Sequence, residues 1–214
     1  MISPNAWPLI ITGKSCTFWE HQKKIAMYKL TFAAAALAVI LPFVSFSQNN
    51  DDMKTMMAAA TPGESHQMLS KSAGSWTGTV TMWMQPGAPP TVSQAQATNE
   101  MIMGGRYLKS TNSGNVMGMP FEGVGITGYD NVKKQFVNSW IDNMGTGIMT
   151  MSGTWDAASK SIVYTGSMAD PVSGKDMAFR EVWKFVDNDH QVMEMYNQVD
   201  GKDNKTMEIK YTRK

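Results

Sequence analysis

Cysteine is nearly absent from this chain. Its 214 residues include one, Cys16, which excludes an intramolecular disulfide and any cysteine-based zinc cage. Histidine is scarce too, with three residues: His21, His66 and His190. Charge is thin and balanced, 19 Lys and Arg against 18 Asp and Glu for a net +1, so nothing draws the chain to nucleic acid. Long apolar runs are limited to one, Leu30 to Phe46, which contains Pro42 and falls short of the roughly 20 residues a membrane-spanning helix needs. No nucleophile stands beside its base. Gly13-Lys14-Ser15 matches only the end of a phosphate loop, with Pro8 where the first glycine belongs.

What is present begins with an address. Met27-Tyr28-Lys29 precedes the uncharged run, and Ser45 and Ser47 stand at the −3 and −1 positions for cleavage before Gln48. A basic start, an apolar stretch and small residues at its end make residues 27–47 a secretory signal peptide. Residues 1–26 fit badly in front of such a signal and read as an upstream extension, with translation starting at Met27. The expected mature chain is exported, periplasmic or secreted, with no membrane span after cleavage. It has 167 residues, 15 basic and 17 acidic, and no cysteine. At most two histidines remain, which excludes a three-histidine catalytic zinc site.

The mature chain reads as an all-β domain. Residues 48–61 are polar with Met53, Met56 and Met57, and are expected to be a flexible leader; residues 62–214 form the domain. A short helical pattern runs through His66, Met68 and Leu69. From Trp76 onward, turn signals such as Gly104-Gly105, Asp130-Asn131 and Asp142-Asn143 recur about every ten residues between segments rich in Met, Ile, Val and aromatics. Trp76, Val80, Met82 and Met84 share one face of the first strand, and Thr77, Thr79 and Thr81 the other. About ten strands result. Uniform up-and-down order predicts a closed antiparallel barrel, because closure removes exposed edges.

Leu69, Gly74, Trp76 and Gly78 resemble the helix and Gly-x-Trp entry of lipocalin-like barrels. That resemblance implies that the Trp closes the barrel floor beneath a basic residue of the last strand, for which Arg213 is placed. A longer similarity is carried by residues 74–78 (GSWTG), 83–90 (WMQPGAPP), 99–108 (NEMIMGGRYL), 118–123 (GMPFEG), 128–131 (GYDN), 140–147 (WIDNMGTG) and 180–184 (REVWK). These segments resemble the bacterial domain of unknown function 1579 family, over His66 to Tyr211. The resemblance implies a lipocalin-like barrel and carries no activity.

Methionine is the compositional anomaly, at 20 residues. Five Met-x-Met pairs occur: Met82/Met84, Met101/Met103, Met117/Met119, Met149/Met151 and Met193/Met195. Four of them would aim two thioethers at one side of a strand, an arrangement suited to Cu(I). Flexible thioethers also line adaptable apolar cavities, and the scattered pairs lack a His or Cys to complete a metal site. His66 is a candidate haem or metal ligand, but its place on a polar helical face points it to solvent. His190 follows an acidic turn and reads as a surface residue.

Charged and aromatic residues within strands supply the remaining candidates. The ligand-binding set is Met82, Met84, Glu100, Arg106, Tyr107, Phe121, Glu122, Trp140, Asp142, Met149, Met151, Trp155, Arg180 and Glu194. Placed inward, they would give an apolar barrel the few polar groups that orient a ligand. Glu100 and Glu122 are paired carboxylates of the kind acid–base catalysis uses, although no spacing selects them. The expectation is a barrel that binds a small apolar or amphipathic ligand, with no cofactor, no metal and no catalytic residue assigned. The alternatives are a copper or haem binder, an envelope interaction domain with a filled barrel, and an enzyme with a carboxylate acid or base inside.

Overall fold

Alternation of apolar and polar residues, broken by turn residues at short intervals, produces ten consecutive strands: β1 Gly74–Met82, β2 Thr91–Ile102, β3 Tyr107–Val116, β4 Met119–Asp130, β5 Gln135–Asp142, β6 Met149–Asp156, β7 Ser161–Ala169, β8 Asp176–Phe185, β9 His190–Val199 and β10 Lys202–Arg213. The computed structural model describes residues 50–214 apart from 86, 171, 172 and 200. The upstream extension and the signal segment lie outside the described residues. Every strand pairs antiparallel with its sequence neighbours, and β1 pairs with β10 from Trp76↔Arg213 to Met82↔Met207, closing the barrel. Closure satisfies the edge N–H and C=O groups that an open meander would expose.

Cross-strand partners share a face, so the inner wall can be followed strand by strand from Trp76. It runs through Ala97, Asn112 and Gly123 in one direction and Arg213 in the other. The hairpins at 103–106, 131–134, 157–160 and 186–189 lie at one end, together with two helices. The connections at 117–118 and 143–148 lie at the other, where β1, β7 and β9 also end.

The helical end is plugged. Helix α2, Glu64–Ser70, drives Leu69 into the barrel, where it is fully buried against a cluster that includes Leu108, Phe136, Ile162 and Tyr164. Burial of one such side chain stabilises by about 2 kcal/mol. Trp76 is 1% exposed and donates from Nε1 to the Ser72 carbonyl at 2.9 Å. The Arg213 guanidinium lies 4.1 Å over the Trp76 ring and donates to the carbonyls of Ala73, Lys71 and Asn188 at 2.7, 2.6 and 2.9 Å. The last strand thus supplies the basic residue above the floor tryptophan.

Three features depart from expectation. The leader contains a helix, α1, Asn50–Ala60, none of whose residues is buried. Its last carbonyls, left without partners inside the helix, accept hydrogen bonds from Arg106 Nη2 (Ala60, 2.8 Å) and Asn131 Nδ2 (Ala59, 3.1 Å). His66 is buried, not solvated. Its Nδ1 accepts the Gly63 N–H at 3.0 Å, the reach-back half of a capping box, and its ring meets Tyr129 edge-on. Loss of hydration holds its pKa below the usual histidine value.

The methionine pairs are the third departure. Strand β1 ends at Met82, leaving Met84 exposed in the following turn. Met103 and Met117 occupy turns at φ 51° and 53°. Only Met149/Met151 and Met193/Met195 therefore lie within one strand on the inner face. Hairpin geometry took the other three pairs apart.

Candidate functional site: the barrel interior

The inner wall differs from one end to the other. Near α2 it is packed with Leu, Phe, Ile and Tyr. Further along, Met82, Met193, Met195 and Met207 face inward by register yet keep part of their surface exposed. Trp183 and Tyr211 do the same. Inward-pointing side chains that keep accessible surface leave the interior less densely filled along the β8–β9–β10–β1 wall than at the plugged end.

Small residues shape the other wall. Gly123 and Gly125 of β4 leave room for the Trp140 ring to lie flat against the strand; a Cβ on Gly123 would stand 2.3 Å from Trp140 Cζ2. Phe121 stacks on that ring with centroids 6.3 Å apart. Trp140 Nε1 donates to Asp142 Oδ2 at 2.7 Å, and Asp142 Oδ1 accepts the Met144 N–H at 2.9 Å. This shelf, at the end away from α2, has its polar groups satisfied.

The centre has not. Glu181 faces inward from β8, 7% exposed, opposite Tyr164 on β7 and Met195 on β9. It forms no hydrogen bond or ion pair among the described residues. Burial without compensation disfavours the charged form and pushes its carboxyl up to about 7. Tyr164 is fully buried and its hydroxyl has no partner among the described residues; burial, and then the nearby Glu181 charge, raise its pKa well above the phenol value. Tyr211 of β10 is raised by the same two causes.

Three amide oxygens on the inner wall are also buried and unpartnered among the described residues: Asn99, Asn138 and Asn197 Oδ1. The nitrogen of Asn99 is engaged by the Ser72 carbonyl at 3.0 Å, and that of Asn138 by Thr127 Oγ1 at 2.7 Å. Native interiors hold few orphaned polar atoms. Four of them lie on the inner wall, distributed over β2, β5, β7 and β9, together with the lone Glu181 carboxyl of β8.

Of the residues expected from the sequence, Met82, Phe121, Trp140, Asp142, Met149, Met151 and Trp155 face inward, Trp155 at the rim beside Phe185. Glu100, Tyr107, Glu122, Arg180 and Glu194 face outward. Glu100 pairs with Lys109 at 3.2 Å, and the Tyr107 ring covers Gly128. Arg180 binds Asp203 at 2.6 Å and lies 4.2 Å over the Tyr196 ring. Glu194 is held by Lys184 and Lys205. Burial opposes ionisation of Glu194, but those ammonium groups win and its pKa is lowered. Met84 and Arg106 lie in turns.

Glu181 was missed in favour of its neighbour Arg180. The signal was present in β8, where Phe179, Glu181, Trp183 and Phe185 alternate with Arg180, Val182 and Lys184. The carboxylate sits on the aromatic face. Among the described residues, no three His, Cys, Asp or Glu side chains come together in a way that would hold a metal. Two open recesses, neither lined by Glu181 or Tyr164, lie at the surface: one of about 600 Å³ bordered by β5, β6 and β7, and one of about 520 Å³ beside α2.

Fold and site together define a closed ten-stranded barrel, plugged at one end, with an apolar interior that carries isolated polar groups. The family described as Protein of unknown function (DUF1579) matches residues 61–213, and the chain belongs to it. A solved structure, "Crystal Structure of Rv2717c from M. tuberculosis", is similar with a TM-score of 0.54 at 17% identity, over 72% of this chain and 99% of that one. At that identity the likeness is one of fold. No curated protein matches the chain.

Proposed function

We propose that this is an exported binding protein that sequesters a small amphipathic molecule inside its barrel. The observation that carries the reading is the buried, unpartnered Glu181 carboxyl beside the orphaned Tyr164 hydroxyl, with further orphaned amide oxygens elsewhere on a methionine- and aromatic-lined inner wall. A ligand's polar head supplies what those atoms lack, and its apolar body displaces water from the thioethers and rings. Methionine side chains adapt their shape to the guest. N-phenyl-1-naphthylamine, a small probe that fluoresces on leaving water, tests the reading. Its emission should rise with the purified protein and fall back in Met207→Trp, which fills the inner space. Emission unaffected by that variant, or absent from the start, contradicts interior binding.

A second reading, an acid–base enzyme, draws on the same carboxyl, since a pKa near 7 suits proton transfer. It lacks the partner within hydrogen-bond reach that such a group works with. The copper reading has lost three of its five methionine pairs to turn geometry.

A further inference from the structure

Resting on that reading, we infer that the ligand's head is a hydrogen-bond donor, and specifically an amine, received by the Glu181 carboxylate. The inner wall is lopsided in its chemistry. Its unpartnered atoms include three amide oxygens, which are acceptors, and a phenol oxygen, which can accept. Alternation places two carboxylates inward, and Asp142 is already occupied by Trp140 and Met144. Glu181 is the one left over, nine-tenths buried, with the Tyr164 hydroxyl on the adjacent strand.

Cations are missing where an anionic head would need them. Below the rim residue Lys202, the inward-facing basic residue is Arg213, whose guanidinium is spent on three backbone carbonyls at the plug. Lys109, Arg180, Lys184, Lys205 and Lys210 all point outward by register. A fatty-acid carboxylate entering this barrel would meet acceptors and a like charge, an arrangement that disfavours it in a buried setting. An ammonium meets a carboxylate, carbonyl dipoles, thioethers and aromatic faces, all of which favour a cation.

The experiment compares three ligands of one chain length. The purified protein is titrated with n-octylamine, n-octanol and sodium octanoate, and binding is read by tryptophan fluorescence and calorimetry. Octylamine should bind at least tenfold tighter than octanol, and octanoate most weakly. Glu181→Gln, which keeps the side chain's shape, should erase the amine's advantage over octanol. Octanoate binding as tightly as octylamine, or an amine affinity untouched by Glu181→Gln, overturns the inference while leaving interior binding intact. Failure of all three to bind overturns both.

Discussion

Replacing Glu181 by glutamine preserves volume and removes a proton equilibrium, so it isolates what burial of that carboxyl does to the fold. In the unfolded chain the group ionises near 4.5; in the barrel it does so at about 7. The folded state therefore holds a proton that the unfolded state releases. Below pH 4.5 both states are protonated and burial carries no ionic penalty. Between 4.5 and 7 only the unfolded chain ionises, and stability falls as pH rises. Above 7 the whole difference is felt, about 3 kcal/mol at 1.36 kcal/mol for each tenfold change in proton affinity. Glu181→Gln should match the wild type at pH 4. At pH 8 it should be more stable by about 3 kcal/mol, or roughly 6–12 °C in Tm for a domain of this size. Urea unfolding at the two pH values reads the difference. Subtracting wild type from variant cancels the opposite trend set by Asp130, Asp156, Asp187 and Asp203, whose depressed pKa values favour folding as pH rises. A stability gain identical at pH 4 and pH 8, or a variant less stable at pH 8, would refute the placement of Glu181 in a dry interior.

Three further substitutions test the frame around the site. Arg213→Lys keeps the charge but loses the planar fork that serves three carbonyls, and should cost about 2 kcal/mol by urea unfolding. Gly153→Ala would bring a Cβ to 2.2 Å from the Val163 carbonyl oxygen, a backbone atom that cannot step aside; a loss of about 3 kcal/mol is expected in the same assay. Met117→Asn should raise stability by about 0.5–1 kcal/mol, read as a higher Tm. Met117 is 64% exposed at φ 53° and precedes Gly118 at φ 83°, a turn in which asparagine is at ease and methionine is strained.

The barrel was legible because its signals are local. Alternation in Gly74–Met82, dipeptides such as Asp130-Asn131, and even spacing specify strand, turn and order without long-range information. The floor was legible through resemblance, which paired Trp76 with Arg213 across 137 residues of chain. The interior was harder to read, because alternation says that two residues lie on opposite faces and not which face is inside. Glu194 and Arg180 looked as suitable as Glu181 until cross-strand register was fixed from Trp76. Met82/Met84 and Met101/Met103 failed for a related reason: each pair straddles a strand end, and strand ends depend on turn type more than on hydrophobic pattern. His66 was read as solvated from the polarity of its own helix. Its burial comes from Tyr129, 63 residues away in sequence.

Native mass spectrometry of the protein purified from its own host tests the central claim most directly. Sequestration in the barrel requires an organic adduct that survives gentle ionisation and leaves on denaturation, with a nitrogen-bearing composition if Glu181 receives an amine. A bare protein mass from cells grown under several conditions would contradict it.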